Sequence, residues 1–224
     1  ATFPQIISGS DDKSLEMARR VFSPLAPKLI ELKMKEAELA KLYTNTWRYI
    51  KFAVANQFYM MAEEKGMDFY KIREAMSEDY SRAIDFPQVG FAAGPCLFKD
   101  TMQLAAFNRH SFPLGHAAML VNETLPDFIV EQTKHKTSLD GKNVGILGMA
   151  FKPNNDDKRE SLAYKLRRIL SYENANVMCT DIYIEDDQFV TVDEILEKCG
   201  IIFIGCAHKE YSQIDFKDKM VISP

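Results

Sequence analysis

Residues 142–149 read KNVGILGM. From Val144 to Met149 the run is apolar apart from two glycines, with no polar residue on alternate positions. A strand with one face in water alternates; a strand covered on both faces does not. The stretch is therefore expected to be a central strand of a parallel sheet. The residues downstream agree. A polar loop, AFKPNNDDKRES, leads to a helical pattern, SLAYKLRRILSYE, then a second strand, NVMCTD, a helix, VDEILEKC, a third strand, GIIFIGC, and DKMVISP as the start of a fourth. Strand and helix in alternation make a doubly wound α/β domain, here expected over 139–224.

Upstream the pattern changes to helices. Leu39, Tyr43, Trp47, Ile50, Val54, Phe58 and Met61 recur at steps of three and four, the helical period, within a helix expected from Lys35 to Lys65 and closed by Gly66. Such a stripe serves either as the core face of a helical domain or as an interface between subunits. Further helices are expected from Asp68 to Ser77, from Asp100 to Arg109 and from Leu114 to Thr133, with Pro126 kinking or breaking the last. Residues 34–138 thus form an all-helical middle domain. Residues 1–33 read as strand, helix, strand, a unit too short to bury a core of its own.

Composition narrows the function. Of 224 residues, 46% are hydrophobic and 27% charged, with a net charge of −4, which suits a globular protein and not a general nucleic-acid binder. No apolar run reaches membrane-spanning length, and ATFPQIISGSDDKS lacks the basic and apolar regions of a signal peptide, so a cytoplasmic setting is expected. The four cysteines, Cys96, Cys179, Cys199 and Cys206, have neither zinc-site spacing nor a disulfide framework, and no metal is expected. Cys179, Cys199 and Cys206 sit in apolar strand or helix patterns as small core residues. Cys96 differs: in GFAAGPCLFKD it lies between a turn and the charges of Lys99 and Asp100, where a nucleophilic thiol is favoured.

Two further groups carry alternatives. Lys41 and Asn45 are one turn apart, with Phe52 and Asn56 extending the row: a solvated edge, or donors converging on one oxygen. Gly145 and Gly148, with Asp181 ending the next strand, echo a dinucleotide fingerprint without its spacing: a nucleotide turn, or a structural one. Lys152, Asp156, Asp157 and Arg159 crowd the loop where doubly wound folds bind ligands, or are simply solvated.

Taken together, EAELAKLYTNTWRYIKFAVANQ, GFAAGPCLFKD and VGILGMAFKPNNDDKRES, in this order, resemble the UDP-glucose/GDP-mannose dehydrogenase family of nucleotide-sugar dehydrogenases. The resemblance implies NAD-dependent oxidation of a nucleotide-sugar C6 alcohol to the acid. It makes Cys96 the nucleophile that holds the aldehyde as a thiohemiacetal and then a thioester. Lys41 and Asn45 become donors to the C6 oxygen, and Asp100 the acid that handles the hydrolytic water. Lys152, Phe86, Gly90 and Phe91 would meet the nucleotide sugar, Arg82 the substrate of the partner subunit, and Arg159 the NAD diphosphate. It also implies that NAD is bound mainly by a domain outside this chain, of which residues 1–33 are the tail, and that the chain is a fragment, inactive alone. A homodimer through helix 35–65 is implied as well. The ending CLFKD resembles the UDP-glucose and GDP-mannose branches more than the N-acetylmannosamine branch. The alternative is a non-catalytic dimeric nucleotide-sugar-binding module.

Overall fold

The computed structural model describes residues 2–109 and 111–224. The chain falls into two compact units, one up to Trp47 and one from Arg48 onward. In the first, strands β1 (Gln5–Ile7) and β2 (Leu29–Glu31) pair in parallel around helix α1 (Asp12–Phe22). Asp11 caps α1, accepting from the Ser14 amide at 2.7 Å. The Arg19 guanidinium then ties α1 to β2 through both Glu31 oxygens, at 2.6 and 2.8 Å. No α1 residue is buried, as expected of a unit too small to make its own core.

Helix α2 (Met34–Glu63) begins in the first unit and continues into the second. Gly66 ends it: with φ +65° it donates to the Glu63 carbonyl, while the Met67 amide reaches the Ala62 carbonyl. This is the paired Schellman closure that a left-handed residue permits. The buried face of α2 is Leu42, Thr46, Tyr49, Ala53, Asn56 and Tyr59. The apolar stripe legible in the sequence is a different face. Leu39, Tyr43, Trp47, Val54, Phe58 and Met61 are all exposed, and only Ile50 of that row is buried. The core reading of the stripe therefore fails: a neighbouring row, Leu42, Tyr49 and Tyr59 with smaller and polar residues among them, packs inward.

Helices α3 (Phe69–Ser77), α4 (Leu97–Phe107) and α5 (Pro113–Lys136) come next. Pro126 does not break α5. Its missing N–H leaves the Asn122 carbonyl without the usual helical donor, yet the proline is buried and the helix continues to Lys136. Nearby, the Lys165 ammonium donates to the Glu123 carbonyl.

The sheet is the expected one. Strands β3 (Asn143–Leu147), β4 (Asn176–Thr180), β5 (Ile201–Ile204) and β6 (Met220–Ile222) are all parallel in the order β4-β3-β5-β6, with α6 (Leu162–Tyr172) and α7 (Val192–Lys198) as crossovers. Alternate residues explain why β3 reads as continuously apolar. Val144 and Ile146 join Leu166 of α6 and Leu125 and Ile129 of α5 in one core. Leu147 joins Ile195 of α7 and Ile202 in another. Gly145 is the notch for α7: a Cβ there would stand 2.4 Å from Ile195 Cγ2.

At the carboxyl end of β3 the chain turns through Gly148, at φ +87°, against the segment after β5. A Cβ on Gly148 would lie 2.2 Å from the Cys206 carbonyl oxygen, which is backbone and cannot give way. Gly148→Ala is expected to destabilise the chain by about 1–3 kcal/mol, from strain alone. Gly200→Ala, whose Cβ meets nothing within 4 Å, is expected to be neutral or slightly stabilising. Urea unfolding of both variants checks the contrast.

Candidate functional site

Two loops meet above the sheet's carboxyl edge, both within the second unit. The first, residues 87–96, runs into α4. It is held from beneath by one buried amide. Asn56 donates Nδ2–H to the Gly90 carbonyl at 3.1 Å and accepts the Gly90 N–H at 3.0 Å. Its Nδ2 also donates to Asn122 Oδ1 at 2.9 Å, and Asn122 in turn donates to the Tyr49 carbonyl at 3.0 Å. Asn56 is therefore a clamp and not a donor aimed at substrate, which removes it from the row beginning at Lys41. The loop ends on Cys96, the exposed N-cap of α4. A sulfur there lies where unsatisfied helix amides favour negative charge.

The second loop joins β3 to α6 and is anchored by Asp181. Its carboxylate is fully buried. It accepts from the amides of Met149 at 2.6 Å, Ala150 at 3.0 Å, Tyr183 at 2.8 Å and Ile184 at 3.1 Å. Burial pushes its pKa up, but these donors and His208 outweigh burial and hold it below the usual carboxylate range. An acid so engaged has no oxygen left for a ribose. With Gly148 wedged against Cys206, the end of β3 does not fit a dinucleotide, and the structural reading of that turn stands.

Further along, Arg159 grips Asp157 with Nε at 3.0 and 3.1 Å and Nη2 at 2.7 Å, and holds the Asp157 pKa down at about 2. The Lys152 ammonium stands 5.4 Å from the centre of the Phe151 ring. The loops are joined where the Gly94 amide meets the Glu160 carbonyl at 3.2 Å. Gly94, at φ +99°, also leaves room for the Phe151 ring, 2.6 Å from where a Cβ would be.

Between these loops lies a cavity of about 650 Å³. Of the residues expected at the site, it brings together Gly90, Phe91, Cys96, Lys152 and Arg159. Three others in this unit are not among its lining. Phe86 stacks on Phe58, ring centres 5.8 Å apart. Arg82 is exposed elsewhere. Asp100 is buried one turn along α4 from Cys96, its Oδ1 3.2 Å from the Lys99 ammonium. Lys41, exposed, and Asn45, half-buried, belong to the first unit.

The lining also includes Arg48, which the sequence reading passed over, and Phe52, which it placed in the Lys41 row, both from α2, with Cys206 and Ala207 just after β5. The helical period was enough to find Arg48, which falls between Asn45 and Phe52 in the same row. Cys206 and Ala207 stand where parallel sheets present ligands. Cys206 is buried as expected, with its thiol pushed up to about 12 by that burial. Cys179 and Cys199 are buried too. Among the described residues no cluster of His, Cys, Asp and Glu could hold a metal ion, and no helix is long and apolar enough to cross a membrane.

Two outcomes are expected. Iodoacetamide applied to the native chain should alkylate Cys96 alone, the other three thiols reacting only after denaturant; mass spectrometry reads the site. Asn56→Ala, which strands the buried Gly90 amide and Asn122, should lower stability by about 1–3 kcal/mol and speed hydrogen exchange at Gly90.

Comparison with known proteins adds an independent line. The central domain of the UDP-glucose/GDP-mannose dehydrogenase family matches residues 35–124, and that family's UDP binding domain matches residues 145–222. The UDP-N-acetyl-D-mannosamine dehydrogenase of Methanocaldococcus jannaschii is 33% identical over 217 residues, covering 96% of this chain and 50% of that protein. The UDP-glucose 6-dehydrogenase of Haloferax volcanii is 29% identical over 185 residues, covering 79% of this chain and 43% of that protein. A solved UDP-glucose dehydrogenase from Pyrobaculum islandicum superimposes with a TM-score of 0.86 at 26% identity, over 98% of this chain and 54% of its own. The chain thus spans about half the length of the relatives it matches, and relatives of both sugar types match, so the CLFKD ending does not fix the sugar. Two domains of one family, in order along most of the sequence, place the chain in the UDP-glucose/GDP-mannose dehydrogenase family.

Proposed function

We propose that the 650 Å³ cavity is a UDP-sugar site and that the chain supplies the substrate-handling part of an NAD-dependent nucleotide-sugar 6-dehydrogenase. One observation carries the reading: an exposed thiol at a helix N-terminus lines the same cavity as the 151–159 loop of the UDP binding domain. Lys152 and Arg159 give that wall its positive charge, while Phe52, Phe91 and Phe151 give it rings against which a base or sugar can pack.

The chemistry assigned to these residues is covalent capture. The Cys96 thiolate adds to the C6 aldehyde carbon, so the half-oxidised sugar cannot leave. The new C–S bond pushes an electron pair onto the aldehyde oxygen, which calls for hydrogen-bond donors there. Such donors matter most where the charge develops in the transition state. Asp100, behind the sulfur, places the water that cleaves the thioester, acting from beneath the cavity wall. Phe86 borders the nucleotide loop from outside the lining, and Arg82 is assigned to the substrate of the partner subunit. NAD, when bound, supplies the hydride acceptor. The β3 turn of this chain does not cradle it, and the exposed Arg159 is the group assigned to its diphosphate. The same misfit favours a second reading, a nucleotide-sugar-binding module with no oxidation of its own.

The uncovered stripe of α2, with Leu39, Tyr43, Val54, Phe58 and Met61 all exposed, fits a two-fold homodimer through this helix.

Calorimetry on this chain should show UDP and UDP-sugars binding, with NAD⁺ binding at least about tenfold more weakly. Cys96→Ser should leave UDP binding unchanged and, in the complete enzyme, abolish acid formation. Tight NAD⁺ binding without UDP binding would overturn the assignment. Acid formation without the thiol would leave the binding-site reading and remove the covalent step.

A further inference from the structure

Behind the Lys152 wall lies a buried imidazole for which the proposed chemistry has no use. His208 is 2% exposed and comes directly after the lining residues Cys206 and Ala207. Its Nδ1 lies 3.0 Å from the backbone nitrogen of Asn154. A backbone N–H can only donate, so Nδ1 carries no proton. Its Nε2 lies 3.1 Å from Asp181 Oδ2. An ionised carboxylate can only accept, so Nε2 carries the proton and donates it. The two contacts together select one neutral tautomer. The ring is packed by Tyr183 and Tyr211, with centres 4.9 and 5.4 Å away.

The consequence concerns the loop. Asp181 holds the Met149 and Ala150 amides on one side of Lys152. His208 holds Asn154 on the other, where the backbone is left-handed at φ +56°. Asparagine takes this region more readily than other side chains, and the contact with His208 ties its amide there. The carboxylate and the imidazole are joined, so both flanks of Lys152 and Pro153 hang from one buried unit at the end of the sheet.

We propose that His208 is a positioning residue for the nucleotide-sugar site. It extends the Asp181 anchor to Asn154 and so sets where Lys152 and Pro153 stand on the cavity wall. The inference rests on the reading of that cavity as a UDP site.

Two substitutions separate the two ring nitrogens. In His208→Asn the side-chain oxygen falls near the place of Nδ1 and can still accept from Asn154. In His208→Gln the side-chain nitrogen falls near the place of Nε2, keeping the Asp181 contact and giving up the other. Hydrogen exchange at Asn154 and calorimetry with UDP are measured on the whole chain for both, with circular dichroism to establish folding. The expected result is fast exchange at Asn154 for His208→Gln and near-wild-type exchange there for His208→Asn, with UDP binding about three- to tenfold weaker in both, since each breaks one link between Asp181 and Asn154. Nitrogen-15 spectra of the wild-type imidazole should show a protonated Nε2 and a bare Nδ1. Wild-type UDP binding in both variants, unchanged Asn154 exchange in His208→Gln, or the opposite tautomer would overturn the proposal. Failure of the wild-type chain to bind UDP would instead overturn the UDP reading, while the exchange and tautomer results still decide whether His208 holds the loop.

Discussion

A carboxylate without water is costly unless the protein replaces the water, and Asp181 is such a group. Four backbone amides and an imidazole surround it. These donors come from the ends of β3 and β4 and from the segment after β5, three places the parallel sheet brings side by side. Remove the charge and the turn after β3, the turn after β4 and the His208 segment lose their common partner. The position of Lys152 is therefore a consequence of buried electrostatics more than of local loop preference. It also explains why the acid at the end of β4, which would meet a ribose in a dinucleotide fold, cannot do so here.

The opposite wall uses a neutral version of the same device. Asn56 saturates both backbone groups of Gly90, and Asn122 ties Asn56 and the Tyr49 carbonyl, both on α2, to α5. An amide suits this place because Gly90 offers one donor and one acceptor, whereas the turn after β3 offers only donors. Cys96 can then stand exposed at the start of α4 because the loop before it is held from below. Exposure at the surface depends on satisfaction underneath.

Much of this was legible in the sequence. The parallel sheet could be read from KNVGILGM and GIIFIGC because both faces of those strands are covered, a requirement that leaves its mark on every residue. Cys96 could be told from the other three thiols because a turn and charges flank it. The buried face of α2 could not be read by size. Its inward residues include Thr46, Ala53 and Asn56, while Tyr43 and Phe58 face out, so hydrophobicity named the wrong side. The roles of Asn56, Asp181 and His208 were hidden for a related reason. Each is defined by backbone groups far away in the chain, and no spacing in the sequence encodes those partners. Arg48 was within reach of the helical period and was passed over. Phe86, Arg82 and Asp100 illustrate the converse: a motif gives a neighbourhood, and burial decides which members of it face the cavity.

The central claim is that the cavity between the cysteine loop and the Lys152 loop takes a UDP-sugar. A crystal structure of the chain grown with UDP tests it most directly. The account predicts the diphosphate against Lys152 and the 88–91 loop, with the open end of the ligand directed toward Cys96. UDP bound elsewhere on the chain, or turned so that its diphosphate lies away from both loops, would contradict it.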